Sequence, residues 1–118
     1  MNERLTPRER IRSDKDFTGL YKSGSRYRGR YFTLVYRPNN LGFSRLGVVA
    51  SSKVGPAVVR NMVKRRIREI FRRNKQEVAV PTDLIVIVRR EILDLAPAEL
   101  EAGYSAALRA IARESKAL

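Results

Sequence analysis

Four cations recur at every fourth residue in one stretch of this chain: Arg60, Lys64, Arg68 and Arg72. On a helix that spacing stacks them in a row, with Asn61 and Arg65 beside it. Val59, Val63, Ile67, Ile70 and Phe71 fall on a neighbouring apolar arc. One face is therefore built to bury and the next to carry charge. Like charges four residues apart each cost about 0.2–0.5 kcal/mol on an isolated helix. Repeating that cost down a face calls for an anionic partner. The acids that could neutralise the row internally are scarce, since Glu69 alone lies between Val54 and Gln76. Arginine supplies most of the row, and its planar fork suits phosphate oxygens better than a lysine point charge. The chemistry these residues can do is phosphate binding. Asn61 is the odd member, because its amide accepts as well as donates. Its plain structural use would be a helix cap.

Three smaller groups extend the surface. Arg4, Arg8, Arg10 and Arg12 lie in an N-terminal arm, and Lys53 lies in the turn before the basic helix. Ser52 and Lys53 follow one strand, and Arg89-Arg90 follow another. If those strands are parallel, both ends form one basic lip; the plain alternative is two arginines snorkelling at a strand end. Phe17 and Tyr21 sit four residues apart on a short helix. Aromatics at that spacing are usually core, but exposed rings of this kind hold single-stranded nucleic acid by stacking.

The elements that must position these groups follow from periodicity. Ser13-x-x-Asp16 caps a first helix with apolar residues at Phe17, Leu20 and Tyr21, and Ser23-Gly24 ends it. Tyr31 to Arg37 and Leu46 to Ser51 are predicted strands, with an extra edge strand around Tyr27 to Phe32. Gly55-Pro56 opens the basic helix, which runs to Asn74 or Lys75. Val80 to Asp83 is expected to be a turn. Leu84 to Val88 is an apolar run suited to a central strand buried on both faces. Leu95-Ala96-Pro97 introduces a last helix with Leu100, Tyr104, Leu108 and Ile111 on one stripe. The order α-β-β-β-α-β-α gives an α+β fold. It is expected to be a two-layer sandwich of three helices on a mostly antiparallel sheet of about four strands. Residues 1–118 are taken as a single domain, with 1–12 a flexible basic arm.

Composition narrows the function. Lysine and arginine number 25 against 12 acids, a net charge of +13. That balance points first to nucleic acid and second to an anionic membrane surface. The membrane fits poorly, because the basic helix needs its apolar arc for the core. No apolar run approaches the ~20 residues of a membrane span, and with no apolar region after Met1-Asn2-Glu3-Arg4 no secretory signal is expected. With no histidine and no cysteine, the commonest general base and the thiolate nucleophile are missing. No catalytic residue is assigned. A cytoplasmic location fits these features.

Several of these stretches, taken together, resemble one family. Arg60-Asn61-x-x-Lys64-Arg65-x-x-Arg68-Glu69, preceded by Lys53-x-Gly55, is similar to the signature of the bacterial ribonuclease P protein subunit. Arg8-x-Arg10-Ile11-Arg12, Asp16-Phe17-x-x-x-Tyr21-Lys22-x-Gly24 and Ser44-Arg45-Leu46-Gly47 fall where that family has similar runs. The resemblance spans from about Thr6 to the last helix. It implies a subunit that binds a catalytic RNA and the 5′ leader of precursor tRNA. Leader removal would be endonucleolytic, and the RNA would do the chemistry with Mg2+ and no organic cofactor. It implies a left-handed crossover through the basic helix, a free protein that is monomeric, and no membrane partner. Arg60, Asn61, Lys64, Arg65, Arg68, Arg72, Lys53, Arg8, Arg10 and Arg12 would face the catalytic RNA, with Asn61 close to a metal ion. Phe17, Tyr21, Ser52, Arg89 and Arg90 would line the leader cleft. The chain departs from the family near Val35, where an aromatic is frequent and valine cannot stack comparably. The alternative is an RNA-binding protein of another kind, ribosomal or chaperone, without a processing role.

Overall fold

A computed structural model describes residues 7–78 and 80–117 of the chain. Seven main elements run α1 (Asp14–Ser23), β1 (Ser25–Arg28), β2 (Phe32–Pro38), β3 (Arg45–Val49), α2 (Ala57–Arg73), β4 (Thr82–Val88) and α3 (Pro97–Ala117). Short 3-10 turns add Pro7–Glu9, Lys75–Glu77 and Arg90–Asp94. The strands form one sheet in the order β1-β2-β4-β3. The β1–β2 and β2–β4 pairs are antiparallel, and β3 pairs with β4 in parallel. Class, helix number and element order are those expected from the sequence.

Alternation along the strands builds two cores. Phe32, Leu34 and Tyr36 of β2, with Leu84, Val86 and Val88 of β4, pack against Val63, Ile67, Ile70 and Phe71 of α2 and the buried stripe of α3. The intervening Val35 and Ile85 face the other way, onto Leu20 of α1. So α1 forms a partial third layer, fuller than the expected two-layer sandwich. Val35 is fully buried beneath it, which removes that position from any contact with RNA.

Local chemistry explains the boundaries of α1. Ser13 Oγ accepts from the Asp16 amide at 3.3 Å, and the Gly24 amide closes the helix on Leu20 O at 2.7 Å. A Cβ on Gly24 would lie 2.8 Å from Val35 Cγ1, so only glycine lets α1 end this close to the sheet.

Two expectations need correction. The edge strand is Ser25–Arg28 rather than Tyr27 to Phe32, because Gly29 and its neighbours make the turn that lets Arg28 pair with Thr33. Thr82 and Asp83 belong to β4 and not to a turn. Asp83 accepts from Arg45 Nε at 2.9 Å, Arg45 Nη2 at 2.7 Å and Asn39 Nδ2 at 2.7 Å, which pulls the strand start inward. From Pro7 the arm is docked on β3: Arg10 bridges Leu46, and the Ile11 amide donates to Leu46 O at 3.0 Å. The outer edge of β3 would otherwise leave unpaired backbone groups, and the arm covers them. Residues 1–6, including Arg4, lie outside the described residues.

Among the described residues two buried side-chain atoms lack a hydrogen-bond partner, Glu77 Oε2 and the Tyr104 hydroxyl, and the second has a measurable consequence. Tyr104 is completely buried, and among the described residues its hydroxyl has no hydrogen-bond partner. Burial, and then the nearby charge of Glu77, pushes its phenol well above the usual tyrosine range. An unsatisfied buried hydroxyl costs about 1–3 kcal/mol. Tyr104→Phe is therefore expected to leave stability unchanged or raise it by about 1 kcal/mol at neutral pH. The phenol's raised value means the folded state keeps a proton that the unfolded chain loses above about pH 10. Its contribution is complete below that pH and falls as pH rises further, and Tyr104→Phe removes this alkaline loss. Denaturant titrations of both proteins at neutral and alkaline pH check it. A phenylalanine variant clearly weaker at neutral pH would show that the hydroxyl does make a bond.

Candidate nucleic-acid interface

The helix α2 sets the geometry of the basic surface. Its buried residues are Val63, Ile67, Ile70 and Phe71. Arg60, Lys64, Arg68 and Arg72 all lie half-buried on the flank of that arc, while Asn61, Arg65 and Arg66 are exposed on the outer side. Pro56 is the N-cap and no side chain caps the helix, so Asn61 in the second turn is not a capping amide. Arg60 Nε donates to Gly55 O at 3.2 Å, which ties the first cation of the row to its leading turn.

The docked arm brings a second set of cations to the same place. Arg8, Arg10 and Arg12 are exposed. Arg8 lies over the Phe43 ring, its guanidinium carbon 4.8 Å from the centroid. Burial, and then the positive charge of Arg10, holds the Arg68 guanidinium below the usual arginine range. The charge of Arg10 thus reaches Arg68 from another element, an effect that a nearby anion would relieve. The far end of α2 differs. Glu69 pairs with Arg73 at 2.8 Å and with Arg72 at 3.9 Å, and Arg73 also meets Glu101 at 2.9 Å. Arg73, and then Asn74, holds the Glu101 carboxyl below its ordinary range. Arg72, expected in the phosphate-binding row, also has Glu69 within reach at i,i+3.

On the other face of the sheet lies an open strip. Register places Arg28 beside Thr33, Thr33 beside Ile87, and Ile87 beside Val49. Ile87 and Val49 pack at the margin of the Leu20, Val35 and Ile85 cluster and stay half-buried, whereas Thr33 is buried. Phe17 borders the strip. Its ring lies so close to β3 that a Cβ on Gly47 would be 3.3 Å from Phe17 Cε2. Arg89 Nη2 donates to Thr33 Oγ1 at 3.3 Å, which holds that arginine over the strip floor. Arg90 instead opens a 3-10 turn. Because β3 and β4 are parallel, Ser52 and Lys53 leave the sheet at the same rim as Arg89. Tyr21 is 44% exposed, with Arg26 stacked 4.8 Å from its ring centroid and bonded to Tyr21 O at 2.7 Å.

Sequence reasoning did not find Arg26, Arg28, Thr33 or Ile87, because strand register brings them here. Gly47 inside a strand was an available signal, since glycine there marks a close approach. Among the described residues no three His, Cys, Asp or Glu side chains group as a metal site, and no helix is long and apolar enough to cross a membrane.

A basic helix, a basic arm docked beside it and an aromatic-edged strip on one small α+β sheet define a nucleic-acid-binding protein. Comparisons with known proteins give the family. The family model for Ribonuclease P matches residues 5–112. The ribonuclease P protein component of Thermotoga maritima is 44% identical over 92 residues, covering 78% of this chain and 79% of that protein. The solved structure of the Thermotoga maritima RNase P protein aligns with a TM-score of 0.78 at 35% identity, covering 86% of this chain and 96% of that one. A Staphylococcus aureus RNase P protein mutant with defective mRNA degradation activity aligns at 0.81 and 34% identity, covering 90% of this chain and 89% of that one. The chain belongs to the ribonuclease P protein family. It is a protein component of ribonuclease P, a partner of its RNA in tRNA processing.

Proposed function

We propose that this chain is the RNA-gripping subunit of a ribonucleoprotein that removes the 5′ leader from precursor tRNA by endonucleolytic cleavage. The catalytic RNA lies along α2 and the docked arm, against Arg8, Arg10, Arg12, Lys53, Arg60, Asn61, Lys64, Arg65 and Arg68. The single-stranded leader lies in the strip bounded by Phe17 and Arg89, with Ser52 and Arg90 on its rim and Tyr21 at its α1 border. The observation that carries this reading is the strip itself, half-buried apolar floor beside an aromatic edge and a fixed guanidinium. That combination suits bases and phosphates in alternation.

The chemistry belongs to the RNA and its magnesium ions. Asn61 offers a metal one exposed amide oxygen, so an ion there would take its remaining ligands from RNA phosphates. The wider contribution of the protein is to neutralise phosphates, which lowers the magnesium needed to bring RNA strands together. The free protein is a monomer and acts in the cytoplasm.

Phe17→Ala in the assembled complex is expected to weaken precursor binding about tenfold, one stacked base, and leave mature tRNA unaffected. Phe17→Leu keeps the packing over Gly47 but loses the ring, so it should show the same selectivity without loss of stability. Equal losses on both RNAs would make Phe17 a core residue only.

A further inference from the structure

The helix α2 carries an apolar patch that neither the core nor the phosphate contacts use. Val58 is 80% exposed and Met62 37% exposed. They lie one turn apart on the same side of the helix. Pro56 and Ala57 before them are also exposed, so the patch begins at the N-cap. The buried arc faces away from it. Its border is basic: Lys53 precedes it, Asn61 lies alongside, and Arg65 and Arg66 follow Met62 by three and four residues, all exposed.

Single exposed apolar residues are ordinary. Two in register, ringed by cations on the most basic element of the chain, form a composite surface. An apolar centre with a cationic rim fits an unstacked RNA base, whose flat face is apolar and whose flanking phosphates reach the rim. A protein partner would need a far wider surface, about 800 Å² for a standard interface. A membrane would need a broad apolar face, which this helix gives to the core.

We propose that Val58 and Met62 form a pad that receives the face of an unpaired base in the structured RNA partner. The helix then holds RNA through a contact independent of salt as well as through phosphates. This rests on the reading that α2 faces RNA. Salt separates the two claims, because a base contact releases no counterions whereas phosphate contacts set the log–log slope.

The test measures binding of the full chain to a transcribed bacterial ribonuclease P RNA across a salt series. Val58→Thr with Met62→Gln preserves size, and thermal melts verify the fold. Leu41→Gln, at an exposed loop position, serves as the control. The double variant is expected to weaken binding roughly five- to thirtyfold at every salt concentration, with an unchanged slope. Arg65→Ala should make the slope shallower, and Leu41→Gln should change nothing. An unaffected double variant beside a weakened Arg65→Ala would overturn the pad and keep α2 as the RNA face. If neither changes binding, the RNA-facing reading itself fails. A double variant that changes the slope, or that alters self-association in sedimentation and not RNA affinity, would also overturn the pad.

Discussion

Replacing Arg65 and Arg68 together by alanine is expected to weaken binding to the catalytic RNA about a hundredfold, roughly tenfold for each lost charge-assisted contact. Arg65 is exposed and Arg68 half-buried beside Arg10. The folded protein already bears the cost of holding Arg68 there, since burial and Arg10 both disfavour its charge. Removing it relieves repulsion inside the protein. The melting temperature should change little while affinity falls, a combination that damage to the fold cannot produce. The wild-type log–log salt slope should be roughly −4 if about five or six single-strand phosphates are neutralised, and the double variant should lose about 1.4 of it. Binding measured at several salt concentrations, alongside a thermal melt, checks this. Unchanged affinity and slope would place the RNA elsewhere.

Asp83→Ala is expected to be the most destabilising single change outside the hydrophobic core, by about 3–5 kcal/mol. Asp83 is 4% exposed and accepts from both Arg45 and Asn39. The hydrogen bond from Arg45 to Asp83 is also the main reason that the Arg45 guanidinium lies above its usual range. Losing the carboxylate leaves the half-buried guanidinium with only the exposed Asp16, and the Asn39 amide with only Phe43 O. Stabilities of small domains are only about 5–15 kcal/mol, so the loss should lower the melting temperature by about 15 °C or more. Asp83→Asn keeps one acceptor and should cost less. Equilibrium denaturation compares the three proteins, and a cost below about 1 kcal/mol would mean that Arg45 finds water instead. The network also touches function. Arg45 reaches Asp16 at 3.3 Å, next to Phe17, so it fixes where α1 begins over the strip.

Local signals were legible in the sequence because their causes are local. The Ser13 cap, the Gly24 stop, the apolar run at Leu84 to Val88 and the two faces of α2 each depend on neighbours within a few residues. The rest depends on pairs far apart in the chain. Asp83 reads as a turn former until Arg45 and Asn39, 38 and 44 residues away, are seen to hold it in a strand. Where the arm docks is hidden until the unpaired edge of β3 claims Ile11. Of the site, the cations of α2 and Phe17 could be named from spacing. The strip floor could not, because Thr33, Ile87 and Val49 meet only through strand register.

The most direct test of the central claim is cleavage of a 5′-leader precursor tRNA at low magnesium, using a bacterial ribonuclease P RNA with and without this protein, and the protein alone. The account predicts cleavage only when RNA and protein are both present. Cleavage by the protein alone, or tight RNA binding with no stimulation, would contradict it.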